Sequence, residues 1–255
     1  MERSIGFRRL MHPEQGMISR SIIIPVLTLG EGEQYNIITL LEDLKAFEGE
    51  VICIFNSRTV FERLQNHPRI DKYCFNKTNA GVSRSWNMGI NLAEGATVFI
   101  LNEDLHVRPV AFDELEYYLY KLPDAVLVAP QGSYLDFINL RIIHYFEKHT
   151  FSNPVRTHDV SGFFFAIHME RFVAHKLGFD TRYSPCFMEE WDMGMQVMKA
   201  GLACYAVPVN SFDHRWGISG SMENRAIPYF ERVVYRNDIL SANRRKFLAK
   251  WFSTP

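Results

Sequence analysis

Cysteine is scarce in this chain of 255 residues, which contains four of them. No two are spaced as a Cys-x-x-Cys pair, and Cys53 and Cys204 lie in apolar runs of the kind found in buried strands. A small secreted scaffold held by disulfides needs paired cysteines at regular spacings. We therefore predict reduced, buried thiols in an intracellular protein.

Neither sign of charge is in excess. Lys and Arg together number 28 and Asp and Glu 29, which gives a formal net charge of -1. A general nucleic-acid-binding protein normally carries an excess of basic residues. We therefore expect no nucleic-acid partner.

Long apolar runs are missing as well. No run reaches the roughly 18 residues that a membrane-spanning helix needs. The first 20 residues alternate charged side chains and lack the apolar core of a secretory signal. We expect a cytoplasmic protein that contacts a membrane only at its surface, if at all.

Strand and helix patterns alternate along the chain, within an ordinary globular composition of 47% hydrophobic and 22% charged residues. Apolar runs at 21–27, 50–55 and 97–101 are typical of strands buried in a parallel sheet. Pro25 is expected to end regular pairing of the first strand, because it has no N–H to donate. The segment 133–151 fits one helix or two strands. The alternation predicts one α/β domain over 1–255, with a mostly parallel central sheet and helices on both faces.

Two adjacent acids, Glu103 and Asp104, directly follow a buried strand. Open α/β sheets bind ligands at the carboxyl ends of their strands. Carboxylates without basic neighbours suit Mg²⁺ or Mn²⁺ and the phosphates that such an ion carries. Any further metal ligands must come from distant segments or from substrate phosphates. The alternative is a solvated acidic turn.

A helix start at 79–90 is the second candidate site. Gly81 lies just before the helix, where a bare backbone can approach a phosphate. Arg84 and Asn87 lie about one turn apart, so both can face the same ligand. The alternative is an ordinary helix N-terminus, with Asn79 as a cap and a solvated Arg84.

Three acids, Glu189, Glu190 and Asp192, open a later helix. Acids in a first turn are favoured by the helix dipole, so helix capping is one explanation. The other is a general base at a cleft, whose pKa is raised by the apolar surface of the neighbouring Trp191.

A polar loop after the last predicted strand contains His214 and Arg215. His214 is a candidate metal ligand and Arg215 a candidate phosphate contact. The alternative for both is an ordinary exposed loop.

In this order, these segments resemble the family 2 glycosyltransferases with the GT-A nucleotide-sugar fold, over roughly residues 20–221. The resembling parts are the opening strand, an Asn/Gly helix start, an acidic motif that binds metal, an acceptor-side strand with a Gly-Phe-Asp turn, a Glu-Asp motif that supplies a base, and a late histidine. In this sequence they lie at 21–27, 79–90, 101–104, 161–162 with 178–180, 189–192 and His214.

The resemblance implies an inverting, metal-dependent glycosyltransferase of the hexosyltransferase type, with Mn²⁺ or Mg²⁺ as its cofactor. Its donor would be a nucleoside-diphosphate sugar of the UDP, TDP or GDP type, and its acceptor a saccharide or a lipid-linked hydroxyl. Residues 20–107 would bind the nucleotide sugar, 108–221 would hold the acceptor, and 222–255 would form a helical tail.

Residue roles also follow from the resemblance. Asp104 and His214 would bind the metal, Glu190 or else Glu189 would be the general base, and Asp192 would position acceptor hydroxyls. The nucleotide would be bound by Pro25, Val26, Asn56, Ser57, Asn79, Gly81, Arg84, Asn87, Asn102 and Glu103.

The sequence departs from the family in several places. Residues 55–57, Phe-Asn-Ser, stand where an Asp usually reads the base, and Asn102 stands where the first Asp of the acidic motif often lies. Glu190 is one methylene longer than the usual Asp, Gln196 replaces a common Arg, and the segment 133–160 has no clear counterpart. A non-catalytic nucleotide- or sugar-binding protein on the same fold is therefore the alternative function. A phosphohydrolase built on Asp104 is less favoured, because metal hydrolases usually have a denser ligand cluster.

The tail from 236 to 251 mixes basic and apolar residues. It could lie on an anionic membrane as a basic amphipathic helix, close to lipid-linked acceptors. The favoured alternative is a terminal helix that packs on the domain and leaves its basic face in solvent.

Overall fold

The computed structural model describes residues 19–214 and 224–253. Within them the strands are β1 (Arg20–Val26), β2 (Glu50–Phe55), β3 (Lys72–Phe75), β4 (Thr97–Leu101), β5 (Leu105–Val107), β6 (Ala125–Ala129), β7 (Gly132–Asp136), β8 (Arg141–Phe146), β9 (Val155–Thr157), β10 (Asp159–Val160), β11 (Phe164–His168), β12 (Ala203–Ala206), β13 (Phe212–His214), β14 (Ala226–Tyr229) and β15 (Arg232–Tyr235). The α-helices are α1 (Ile37–Asp43), α2 (Arg58–Leu64), α3 (Val82–Leu92), α4 (Val110–Lys121), α5 (Met169–Ala174), α6 (Glu189–Lys199) and α7 (Arg236–Trp251).

Eight strands form the central sheet, in the order β3-β2-β1-β4-β11-β6-β12-β9. Six of them are parallel to one another, while β11 and β9 run antiparallel to their neighbours. The prediction of a mostly parallel central sheet is confirmed.

Successive side chains of each strand point to opposite faces of the sheet. Helices pack on both of these faces. Ile22 and Ile24 of β1 face a core that includes Leu40 of α1 and residues of α2 and α4. Ile23 faces the opposite core, which includes Trp86 of α3 and residues of α5 and α6. The prediction of helices on both faces is also confirmed.

Smaller ladders complete the architecture. The strands β10, β7 and β8 form a three-stranded antiparallel sheet, and β14 with β15 forms a hairpin before α7. The ladder of β5 with β13 places His214 opposite Leu105. This pairing brings the predicted histidine next to the acid pair that follows β4.

Pro25 ends strand pairing on one side only. Pairing of β1 with β4 stops at Ile23, whereas pairing with β2 continues through Pro25 to Val26. Because proline lacks an N–H, a central strand tolerates it where one side is free. The prediction holds for the β4 side and is wrong for the β2 side.

The structure can be compared with the predictions for two further segments, 133–151 and the C-terminal tail. The segment 133–151 adopts the two-strand alternative as β7 and β8. The predicted helical tail is wrong for 226–235, which form the β14–β15 hairpin, and right for α7. The four cysteines are free thiols, of which Cys53 and Cys204 are buried and Cys74 and Cys186 only half-buried.

The helix α7 packs on the domain. Its buried residues, Ile239, Asn243 and Phe247, are spaced four apart and form one stripe that faces inward. This arrangement favours the packed terminal helix over the membrane-surface helix. Among the described residues, no helix has the length and apolar character to cross a bilayer. Peripheral membrane contact and a cytoplasmic location stay predictions.

Candidate functional site

Two adjoining clefts open at the carboxyl ends of β1, β2 and β4. The first cleft, of about 870 Å³ with its open mouth included, is lined by Pro25, Thr28, Asn56, Asn79, Gly81 and Glu103 among others. The second cleft, of about 1120 Å³, is lined by Tyr145, Asp159, Gly162, Glu189, Glu190, Trp191 and His214 among others. Both clefts share Val82, Trp86, Asn102, Asp104 and Cys186.

Asp104 lies on the wall shared by the two clefts. Its side chain is buried, and its Oδ1 is 3.3 Å from Nε2 of His214. The imidazole of His214 stacks on the ring of Phe163, with centroids 4.3 Å apart. The β5–β13 ladder and this ring contact together hold the histidine beside the acid.

The pair of Asp104 and His214 fits a divalent metal. Two neighbouring ligands of an octahedral ion, with bonds of roughly 2.0–2.2 Å, lie about 3 Å apart. A carboxylate oxygen with an imidazole nitrogen is a donor set that Mn²⁺ accepts. No group of three or more Asp, Glu, His or Cys that could hold a metal ion occurs in the described part of the chain. The described residues would therefore supply two ligands to such an ion.

Glu103 is fixed by the loop that follows β1. Its carboxylate accepts hydrogen bonds from the N–H of Leu27 (2.7 Å) and from the N–H and Oγ1 of Thr28 (3.1 and 2.8 Å). Burial raises the pKa of Glu103 to about 7, although these hydrogen bonds favour the charged form. Glu103 thus forms part of the wall of the first cleft, and its predicted contact with the nucleotide stays a prediction.

Asn56 lines the first cleft, but its amide is fully engaged within the protein. Its Nδ2 donates to the carbonyl of Ile54 (3.3 Å) and to Oγ of Ser85 (2.9 Å). Its Oδ1 accepts from the N–H of Ala80 (3.0 Å) and from Nδ2 of Asn76 (3.1 Å). Asn56 therefore shapes the cleft and has no free group with which to read a base.

Gly81 is required by packing rather than by a ligand. Its φ is +86°, and a Cβ there would lie 2.7 Å from Cα of Pro185. The N–H of Val82 donates to the carbonyl of Pro185 at 2.7 Å, and Oδ1 of Asn79 accepts from the N–H of Gly81. The N–H groups of Gly81 and Val82 are therefore engaged within the protein, although both residues line the first cleft. Phosphate binding at this helix start stays a prediction.

The acid pair that opens α6 lies in the second cleft. Glu189 is 2% exposed, and its Oε2 has no hydrogen-bond partner among the described residues. Burial, reinforced by the neighbouring Glu190, raises the pKa of Glu189 well above its usual range. Burial likewise raises the pKa of Glu190 to about 7. A carboxyl group with a near-neutral pKa in a cleft has the properties of a general acid or base.

Five predicted site residues line neither cleft: Val26, Ser57, Arg84, Asn87 and Asp192. Val26 belongs to the hydrophobic core, and Ser57 precedes α2. Arg84 donates to the hydroxyl of Tyr229 (2.7 Å) and lies over the ring of Phe230. Asn87 exchanges two hydrogen bonds with the backbone of Phe179. Arg215, the other predicted phosphate contact, lies outside the described residues.

Asp192 binds the C-terminal helix. It is fully buried, and its carboxylate accepts from Nε1 of Trp251 (2.7 Å), Nζ of Lys250 (2.8 Å) and Nε2 of Gln196 (2.8 Å). The hydroxyl of Tyr183 completes its shell at 3.1 Å. The predicted role in positioning an acceptor is therefore wrong, because these partners occupy its oxygens.

Sequence reasoning missed three residues of the clefts. Trp86 borders both clefts, and its Nε1 is buried with no hydrogen-bond partner among the described residues. Tyr145 and Asp159 line the second cleft; Asp159 is buried and accepts from the N–H and Oγ of Ser133. The pattern around Trp86 resembles that of any core aromatic on a helix. The other two lie in the stretch for which the resemblance offered no counterpart.

Because Gly162 has no side chain, the carboxylate of Glu190 fits beside it. A methyl group at Gly162 would lie 2.1 Å from Oε1 of Glu190 and 3.0 Å from Cη2 of Trp86. Under the general-base role that the resemblance implies for Glu190, we expect Gly162→Ala to displace this carboxylate and to lower the turnover rate at least about tenfold, with nucleotide binding retained. Gly178→Ala is the matched control, since a Cβ there meets no atom within 4 Å. Equal rates for the two variants would show that the position of Glu190 does not govern turnover.

Known structures share this fold. GalNAc-T7 in a crystal structure with UDP, GalNAc and Mn²⁺ superposes with a TM-score of 0.68 at 13% identity, over 94% of this chain and 49% of that one. TarS 1–349 of S. aureus in complex with UDP-GlcNAc superposes with a TM-score of 0.54 at 12% identity, over 76% of this chain and 57% of that one. The sequence matches no protein-family model and no curated protein.

The chain therefore has the α/β fold of the GT-A-type glycosyltransferases. It spans about half of the length of the GalNAc-T7 structure. Membership of family 2 in particular stays a prediction.

Proposed function

We propose that this protein is a metal-dependent inverting glycosyltransferase that uses a nucleoside-diphosphate sugar. The observation that carries the proposal is the placement of Asp104 on the wall between two clefts, with His214 3.3 Å away and Glu190 in the second cleft. Two proteins with the same fold have been crystallised with UDP and Mn²⁺ and with UDP-GlcNAc, which supports a donor of the UDP type.

The charges in the clefts support a metal at Asp104. No lysine or arginine is among the described residues that line either cleft. Among the described residues, a diphosphate in the first cleft would therefore meet Glu103 and Asp104 without a compensating side chain. A Mn²⁺ or Mg²⁺ ion held by Asp104 and His214 would neutralise charge that develops on the leaving diphosphate.

The two-cleft layout suits an inverting transfer. The donor nucleotide would occupy the first cleft, and a saccharide or lipid-linked acceptor the second. The carboxylate of Glu190 would take the proton of the acceptor hydroxyl as that oxygen bonds to the anomeric carbon. The bond from this carbon to the diphosphate oxygen would break at the same time, and the nucleoside diphosphate would leave.

Calorimetric titration of UDP, TDP and GDP, first with Mn²⁺ and then with EDTA, tests the donor assignment. We expect one nucleotide to bind with Mn²⁺ and to lose its affinity in EDTA. Release of the diphosphate from the matching sugar donors, with saccharide acceptors added, then tests catalysis. Binding without release would favour the non-catalytic alternative, and the absence of binding to all three nucleotides would exclude the proposed donor site.

A further inference from the structure

The segment before the acid pair has an uncommon backbone conformation. Phe187 and Met188 have φ values of 74° and 79°, in a region that residues other than glycine rarely adopt. Met188 is the N-cap of α6, which begins at Glu189. Pro185 and Cys186 of the same segment line the first cleft. Such a conformation persists only where the surroundings impose it, and the path of this segment fixes both the acid pair and the cleft wall.

Asn243 of α7 holds this segment. Its side chain is 1% exposed, and its Nδ2 donates to the carbonyls of Tyr183 (2.5 Å), Cys186 (2.9 Å) and Phe187 (3.1 Å). Its Oδ1 accepts from Nζ of Lys246 at 2.9 Å, which fixes the orientation of the amide. The two N–H groups of this amide are thus shared among three carbonyls within five residues of the chain.

Neighbouring residues of α7 contact the same segment. Phe247 is fully buried in a small core with Met188. The guanidinium of Arg236 lies 5.2 Å from the ring centre of Phe187. The far end of α7 binds Asp192 of α6. The helix therefore contacts both the segment that leads into α6 and the first turns of α6 itself.

We infer that Asn243 is a positioning residue for the transfer reaction, acting through the segment 183–187 on the carboxylate of Glu190. This inference rests on the proposed function of Glu190. The three carbonyls that Asn243 binds belong to residues at, or next to, the cleft wall, so loss of the donor groups would release that wall. A shift of about 1 Å in a catalytic group can cost about 100-fold in rate.

The test compares Asn243→Asp and Asn243→Ala with wild type. The first replaces the amide donor by an isosteric acceptor, and the second removes it without adding charge. Asn237→Asp, the same change at an exposed position of α7, is the matched control. The direct measurement is the rate at which N-ethylmaleimide modifies each cysteine, followed by peptide mass spectrometry.

We expect N-ethylmaleimide to modify Cys186 at least tenfold faster in both Asn243 variants than in wild type. Cys74, which is also half-buried but lies on the edge strand β3, should keep its rate. Cys53 and Cys204 are buried and report global unfolding, so they should stay protected. Turnover with UDP-sugar and Mn²⁺ should fall about 100-fold in kcat, and calorimetric UDP affinity should fall by a smaller factor, because Pro185 and Cys186 of the same segment also line the first cleft.

The possible results separate the inference from the proposed function. Folded Asn243 variants with wild-type labelling of Cys186 and wild-type kcat would overturn the inference and leave Asn243 a purely structural residue. Faster labelling of Cys186 with unchanged kcat would also overturn it. If wild type itself releases no UDP from any donor, the proposed function fails and the catalytic role of Asn243 fails with it.

Discussion

Asp104→Ala is expected to abolish metal-dependent nucleotide binding. The variant loses one of the two protein groups that fit the metal, and His214 alone is a weak site. Loss of an outer partner of a metal ligand already costs roughly 10–100-fold in affinity, so loss of the ligand itself should lower the affinity for UDP with Mn²⁺ by at least about 100-fold. Calorimetric titration of UDP in Mn²⁺ measures the effect. In EDTA, wild type should bind UDP no more tightly than the variant, because its Asp104 then repels the diphosphate.

Asp113→Ala provides the control for this experiment. Asp113 lies on α4 with its side chain 63% exposed, and its partner Arg20 also pairs with Glu116. It should bind UDP with Mn²⁺ as wild type does. If Asp104→Ala also keeps its full affinity in Mn²⁺, then the metal is not held at the shared wall, and the proposed mechanism loses its central assignment.

The positions of Glu103 and Asp104 could be predicted from sequence because local rules suffice for them. An apolar run predicts a buried strand, parallel strands end at the same edge of the sheet, and acids placed there point into a crevice. The strands β1, β2 and β4 follow this logic, and Pro25, Asn56, Asn102 and the acid pair lie in the clefts as expected. The contact of Asp104 with His214 was proposed only through the family resemblance.

The predictions for Arg84 and Asp192 failed because the partners of these side chains come from distant segments, which no local sequence pattern reveals. Arg84 looks like a phosphate ligand on a helix start, but the β14–β15 hairpin supplies Tyr229 and Phe230 as its partners. Asp192 shares a helical turn with the acid pair, yet its carboxylate faces α7, where Lys250 and Trp251 donate hydrogen bonds to it. Tyr229, Phe230 and the α7 partners of Asp192 all follow residue 223, beyond the stretch that the resemblance covers.

The same argument explains why Asn243 has no sequence signature. A single asparagine on a terminal helix is compatible with a solvated surface, because helix pattern alone does not show which chain segment its face meets. Only the packing of α7 against 183–188 shows that its amide is buried against three carbonyls.

Glu190→Gln is the second variant with a large expected effect. The amide keeps the size and polarity of the side chain and cannot take a proton, so the rate of sugar transfer should fall by about 10²–10⁴-fold. Titration with UDP and Mn²⁺ should match wild type, because Glu190 lines only the second cleft. Glu170→Gln, the same change at an exposed position on α5, should leave both quantities unchanged.

The pH dependence of kcat/KM for the acceptor, which reports groups of the enzyme before the acceptor binds, gives this assignment a second, independent check. A general base acts only when it is deprotonated, and burial raises the pKa of Glu190 to about 7. The wild-type rate should therefore fall about tenfold for each pH unit below this value and level off above it. The residual rate of Glu190→Gln should lack that acid limb. A wild-type rate that stays constant from pH 5.5 to pH 8 with saturating donor, or an acid limb that persists in Glu190→Gln, would assign the base to another group. Glu189 is then the first candidate, since it shares the helix turn and its pKa is raised as well.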